Sequence, residues 1–261
     1  MAEVYETDRP RRHRGRALLV VLLVLVVLLL AGLFVLDRFG ASYAERVLAD
    51  RVAQEVRNQK SSSGQPEVTI AGVPFLTQVL AGKYQEIRIE LPDLTTPTGT
   101  GTTVSMPLLD IRAKDVDAPI DTLRTGQGDV VAGSVTGVGT VDYTQIVELS
   151  GQKGLQLAEQ DGRLVATVPL SAAGQTIQVK GTADIKVDDG VVKARFADVS
   201  AEGLTNIFVK QMISNLAANL GFDLKVPDLP MGLEVREVQV LPEGLRVSAG
   251  AEKVTLSAGG I

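Results

Sequence analysis

Residues 17–36 form an unbroken apolar run, with arginines at 9, 11, 12, 14 and 16 directly before it. At about 1.5 Å per residue a helix over this run is about 30 Å long, the thickness of a bilayer's hydrocarbon core. Only Asp37 and Arg38 follow closely on the far side. The excess of positive charge before the run predicts a cytoplasmic N-terminus and an outer part comprising residues 37–261. A cleaved signal peptide is the alternative reading, with Ser42-Tyr43-Ala44 as a small-residue cleavage site. A typical signal core has only about 7–15 apolar residues, so the length favours a retained anchor. The chain divides accordingly into a basic tail (1–16), an anchor (17–36), a helical stalk with a Ser/Gly linker (37–65) and a β-rich domain (66–261).

Residue types narrow the chemistry of the outer part. The only histidine is His13, in the tail, and the 261 residues include no cysteine. Histidine-based acid–base catalysis, Ser-His-Asp hydrolysis, His- or Cys-ligated metal and lipid attachment through cysteine are excluded from the outer part. No cofactor and no metal site are expected. The formal charge is −5 overall; the tail carries +2, which leaves −7 outside. An acidic domain speaks against nucleic acid as a partner. Aromatics are only 4% and tryptophan is absent, so the core has to be built from Val, Leu, Ile and Ala.

Residues 41–57 read as a helix, with Ala44, Leu48, Val52 and Val56 stepping by four along one side. Residues 61–65 form a Ser/Gly break. Beyond Pro66 the period changes to two. Val68 and Ile70 alternate with polar residues, as do Ile87, Ile89 and Leu91, and Leu109, Ile111 and Ala113. Residues 75–80 suggest a helical turn or two, and 143–149 a short helix. Residues 95–103, rich in Thr, Gly and Pro, read as an exposed loop. In the predicted strand 129–141, Gly133, Gly137 and Gly139 imply bending or close approach by another element. Asp161-Gly162, Asp189-Gly190 and Glu243-Gly244 each separate two alternating runs and predict three tight hairpins. Residues 203–220 predict a long amphipathic helix with Phe208, Val209, Met212, Ile213, Leu216 and Leu220 on one face. The expected fold is α+β: a long curved antiparallel sheet wrapped around that helix, preceded by one transmembrane helix.

Residues 66–84 read PEVTIAGVPFLTQVLAGKY, an alternating strand followed by Gly72, Pro74, Phe75, Leu76, Thr77, Gln78, Gly82 and Tyr84. This pattern closely resembles the hallmark of the LmeA family of phospholipid-binding proteins of actinobacterial cell envelopes. Residues 187–200 and 229–249 resemble that family's closing hairpins, and the resemblance extends over about residues 40–256. It implies an exported lipid-binding domain, tethered or secreted, that serves envelope lipid or glycolipid metabolism. It also implies a fold similar to tubular lipid-binding domains. With a charge of −7 the outer part offers no evident basic site for an acidic head group.

Two groups are candidates for lipid contact. Pro74, Phe75, Leu76, Thr77 and Gln78 would form the lip of a groove, the last two offering hydrogen bonds. Against that, Phe75 and Leu76 suit a core and Gln78 suits capping of backbone. Phe208, Met212, Ile213 and Leu216 would line an acyl-chain site, and would equally serve as an ordinary core face. Lys83, Arg88 and Lys114 could meet phosphate, but basic residues on strands are mostly solvated. Asp188-Asp189 and Asp115/Asp117 read as turn and strand acids rather than ligands. No nucleophile motif surrounds Ser150. The sequence therefore points to a membrane-anchored, non-catalytic phospholipid-binding protein that holds or shuttles an acyl-chain lipid. The competing reading is an envelope scaffold module that binds a protein partner instead.

Overall fold

The computed structural model describes residues 14–97, 103–125, 128–151, 154–172, 175–188, 191–201, 221–225 and 232–257. The predicted helix 203–220, with Phe208, Met212, Ile213 and Leu216, lies outside the described residues.

The apolar run and the predicted stalk helix are one element. Helix α1 (Arg14–Asn58) runs for 45 residues without interruption. From Leu18 to Leu36 its side chains are exposed all round, and this is the one helix among the described residues that is long and apolar enough to cross a membrane. From Asp37 onward one side is covered. Asp37, Ala41 and Glu45 follow at intervals of four, so they form a stripe on one side of α1. Ala41 is buried and packs with Ile70, Phe75 and Tyr84; Ala44 and Leu48 join from the same helix. Lys60 ends the element in a left-handed conformation (φ 58°).

The strands are long because the period-two pattern runs long. β1 (Glu67–Ala71) pairs with β2 (Lys83–Pro97) across helix α2 (Phe75–Ala81); β3 (Thr103–Asp117) and β4 (Asp129–Val141) continue the sheet. The stretch 95–97 is strand rather than loop: Thr95 faces Ser105 and Pro97 faces Thr103. Its Thr-rich, β-branched composition supports pairing as readily as exposure. A short helix, α3 (Ile120–Thr125), connects β3 to β4, and α4 (Tyr143–Ser150) follows β4.

Beyond α4 the chain builds a second sheet. It consists of β5 (Gln156–Gln160), β6 (Arg163–Ala172), β7 (Gln175–Asp188), β8 (Val191–Ala201) and β9 (Gly221–Lys225), in that order. The chain then returns to the first sheet as β10 (Glu234–Leu241) and β11 (Gly244–Ser257), which complete the order β1-β2-β3-β4-β11-β10. All pairings are antiparallel, so the fold is α+β as expected, with the strands divided between two sheets instead of one. The strands flanking all three predicted turns are paired, and Asp188 faces Val191 across Asp189-Gly190, which lies outside the described residues. At Asp161-Gly162 both residues have positive φ, 54° and 75°, as a primed turn requires. In the last hairpin Leu241 faces Gly244, so the turn is Pro242-Glu243, one residue earlier than predicted. Proline sets the first turn angle, and Gly244 opens the strand.

A kink line crosses the first sheet. The ladder passes over Gln85, Asp115, Gly133 and Lys253, which lie side by side on β2, β3, β4 and β11. Asp115 and Lys253 have φ of 51° and 53°. The inward face shifts by one residue there: Tyr84 and Ile87, three apart, both pack into the core. Irregularities of this kind bend strands. A side chain at Gly133 would crowd Asp115 Cβ at 3.0 Å, which is why glycine sits on the line.

The two sheets join through α4. Its N-terminus is capped by Asp142, which accepts the Thr144 N–H at 2.7 Å. Tyr143 packs with Leu164 and Ala183 of the second sheet and with Val240 and Leu245 of the first. Its hydroxyl donates to the Leu241 carbonyl at 2.6 Å.

Candidate functional site

The motif 72–84 folds into a compact corner, and each residue has a physical reason for its place. Gly72 has φ 101°, and a side chain there would meet Gln78 Nε2 at 2.7 Å. Pro74 stands at the N-cap of α2 and is exposed. Phe75 is buried in the core, against Gly40 of α1, where an added Cβ would lie 3.6 Å from its ring. Gln78 is buried; its amide nitrogen donates to the Ala71 carbonyl at 3.2 Å and its oxygen accepts the Gln85 N–H at 2.9 Å. It therefore stitches α2 to both strands of the hairpin. The exposed Thr77 donates its hydroxyl to the Pro74 carbonyl at 2.8 Å. Gly82 closes α2 in a left-handed conformation (φ 66°) with Pro119 Cα only 3.0 Å from where a Cβ would be.

Two carboxylates of α1 hold this corner. Asp37, only 3% exposed, accepts the Leu76 N–H at 2.8 Å, and Glu45 accepts the Ile70 N–H of edge strand β1 at 2.9 Å. Edge N–H groups of a sheet need covering, and α1 supplies the cover. These two acids are the residues that sequence reasoning missed. Their spacing of eight around Ala41, with alanines and leucine continuing the stripe, was the available signal.

The polar face of the first sheet carries a ladder of opposite charges. Arg88 and Arg112 face each other across β2 and β3, and both grip Asp110 with two N–H donors, the closest at 2.7 and 2.9 Å. Arg112 and then Arg88 hold the Asp110 carboxyl below the usual carboxylate range. Arg88 also pairs with Glu90, Lys114 with Glu86, and Lys83 with Asp117. The three basic residues considered for phosphate are thus engaged with acids of the same sheet.

The opposite face is apolar without interruption. Leu109, Ile111 and Ala113 on β3 stand opposite Gly139, Gly137 and Val135 on β4. These in turn stand opposite Val247, Ala249 and Ala251 on β11. Directly paired residues share a face, so these nine positions form one floor of small and medium apolar groups. At Gly137, in its centre, no described atom lies within 4 Å of where a Cβ would be. At Gly139 a Cβ would meet Met106 Sδ at 2.7 Å, the close approach expected of that glycine. A separate cleft of 680 Å³ opens where β6 and β7 meet β10. Its rim is charged, with Arg163 paired to Asp184 at 3.2 Å, unlike the floor.

A model of the LmeA-like phospholipid-binding family matches residues 35–250. The chain belongs to this family. The match begins two residues before Asp37, so the family unit takes in the outer part of α1 together with the two sheets. No curated protein and no solved structure matches the chain. In this LmeA-like chain the hallmark motif is the corner that joins α1, α2 and the β1–β2 hairpin. The apolar floor is assembled from strands distant in sequence.

Proposed function

We propose that this LmeA-like chain is a membrane-anchored phospholipid-binding protein that acts at the outer face of the membrane. The apolar half of α1 is its anchor, with the arginines on the cytoplasmic side and the two sheets outside. The observation that carries the reading is the floor of nine apolar positions on β3, β4 and β11, within a chain of a phospholipid-binding family. Acyl chains suit a floor of small apolar groups, and no described atom lies within 4 Å of where a Cβ at Gly137 would be.

Phe208, Met212, Ile213 and Leu216, outside the described residues, are assigned to contact with the acyl chains, and Met212 adapts to chains of different shape. At the lip, exposed Pro74 and Thr77 and half-exposed Leu76 meet the lipid, while Phe75 and Gln78 keep the corner in shape. The role is holding or carrying lipid for envelope lipid or glycolipid metabolism, without catalysis. The test is native mass spectrometry of the full chain released from detergent, followed by extraction and identification of bound lipid. A stoichiometric phospholipid adduct is the expected result. A bare protein mass that stays bare after incubation with phospholipid vesicles would overturn it.

A further inference from the structure

We infer that the α1–α2 corner is a second membrane contact: an apolar collar that sits in the outer interfacial layer of the bilayer around the point where α1 emerges. This deepens the proposed function and rests on its reading of α1 as an anchor. The first observation is where the exposed apolar side chains lie. Beyond the span, α1 exposes Phe39 (70%) and Tyr43 (69%), and the α2 corner exposes Val73 (61%), Leu76 (38%) and Leu80 (84%). Large apolar groups this exposed are costly in water, and a cluster of them marks an interaction surface.

The second observation is their level. Leu76 is hydrogen-bonded to Asp37, the first residue after the apolar run, so the start of α2 is fixed at the exit of the span. Phe39 lies three residues past Leu36, roughly 4–5 Å along the helix axis. The polar layer on each side of the hydrocarbon is roughly 5–7 Å thick, so both groups fall within it. The Tyr43 backbone, roughly 10 Å along, lies a few ångströms above that layer, and its side chain, tilted toward the helix N-terminus, reaches back to the upper edge, where amphipathic rings concentrate.

The third observation selects the occupant. Asp37, Ala41 and Glu45 face the sheets, and Phe39 and Tyr43, two residues out of step with them, point to the opposite side of α1. Apolar groups therefore flank the helix on both sides at one level. A protein partner docked on one side would leave the other bare; a bilayer covers both. The buried Asp37 is engaged by Leu76 and by Arg38 at 3.0 Å, so no unpaired charge is carried into the layer.

The chain has no cysteine, so single cysteines can be placed cleanly. Leu80→Cys and Val73→Cys report on the collar, Leu28→Cys on the span and Glu243→Cys on an exposed hairpin tip. The full-length variants are labelled with a polarity-sensitive fluorophore and reconstituted into phosphatidylcholine vesicles. The vesicles contain lipid spin-labelled either near the head group or near the chain end. The expected result is blue-shifted emission at positions 80 and 73 that is lost to the shallow quencher, loss at 28 to the deep quencher, and no change at 243. Quenching at 28 with water-like emission at 80 and 73 would overturn the collar and leave the anchor standing. Blue-shifted but unquenched emission at 80 and 73 would mean a protein cover, and would overturn it too. Absence of quenching at 28 would overturn the anchor and the collar together.

Discussion

The Leu76 N–H and the Asp37 carboxylate lie 2.8 Å apart across 39 residues of chain, and this one hydrogen bond ties the hallmark motif to the end of the apolar span. Asp37 also accepts from Arg38, so its charge is met from two directions. Replacing it with alanine leaves the α2 N-terminus without its acceptor. Asp37→Ala is expected to speed amide hydrogen exchange through residues 75–81 and to lower the melting temperature by a few degrees, with Asp37→Asn intermediate. A chain cut to begin at Ser42 loses Asp37 and Ala41 together and should melt below one that begins at Val35. Equal exchange and equal melting in these comparisons would contradict the structural role of the contact.

Gly244 and Gly137 make opposite demands on a side chain. A Cβ at Gly244 would collide with the Val141 carbonyl oxygen, a backbone atom that cannot step aside, and φ there is 154°. Gly244→Ala is expected to cost about 2–3 kcal/mol by overpacking and backbone strain. Gly137→Ala meets no described atom within 4 Å and should change stability by no more than about 0.5 kcal/mol, in the stabilising direction. Denaturant melts of the two variants check this contrast.

Asp110 couples stability to pH. Its carboxyl is held below the usual range by Arg112 and then by Arg88, so its folded pKa is below its unfolded value of about 3.9. The stabilisation is therefore complete above the unfolded value and is lost as pH falls through the folded one. Both arginines are partly exposed, so the effect is modest. Asp110→Asn should lose up to about 1 kcal/mol at neutral pH. The gap from the native chain should close on acidification below the normal carboxylate range. A gap independent of pH would show that the loss comes from something other than the ion pairs.

The local features were legible in the sequence and the long-range ones were not. The apolar run, the helices 41–57 and 143–149, and the hairpin at Asp161-Gly162 follow from periodicity and turn chemistry within a few residues. The shift of the last turn to Pro242-Glu243 shows how finely proline and glycine compete for the same turn. Thr95–Pro97 is composed like a loop, yet it has a partner strand at Ser105 and Thr103. The division into two sheets depends on β4 pairing with β11, more than 100 residues later, and no local pattern encodes that choice. The floor around Gly137 was hidden for the same reason. Its apolar residues were visible on three separate strands, but their register, and therefore their shared face, was not. Of the candidate lip, Phe75 and Gln78 prove to hold the corner together; Leu76 was readable as apolar, but its bond to Asp37 was not.

In the proposed function, phospholipid acyl chains lie on the floor centred at Gly137. The most direct measurement compares bound phospholipid per chain, by native mass spectrometry, in Gly137→Leu and Gly137→Ala. Leucine is expected to fill the floor and abolish the adduct while the protein stays folded, and alanine to leave it in place. A Gly137→Leu chain that still carries one phospholipid per molecule would contradict it.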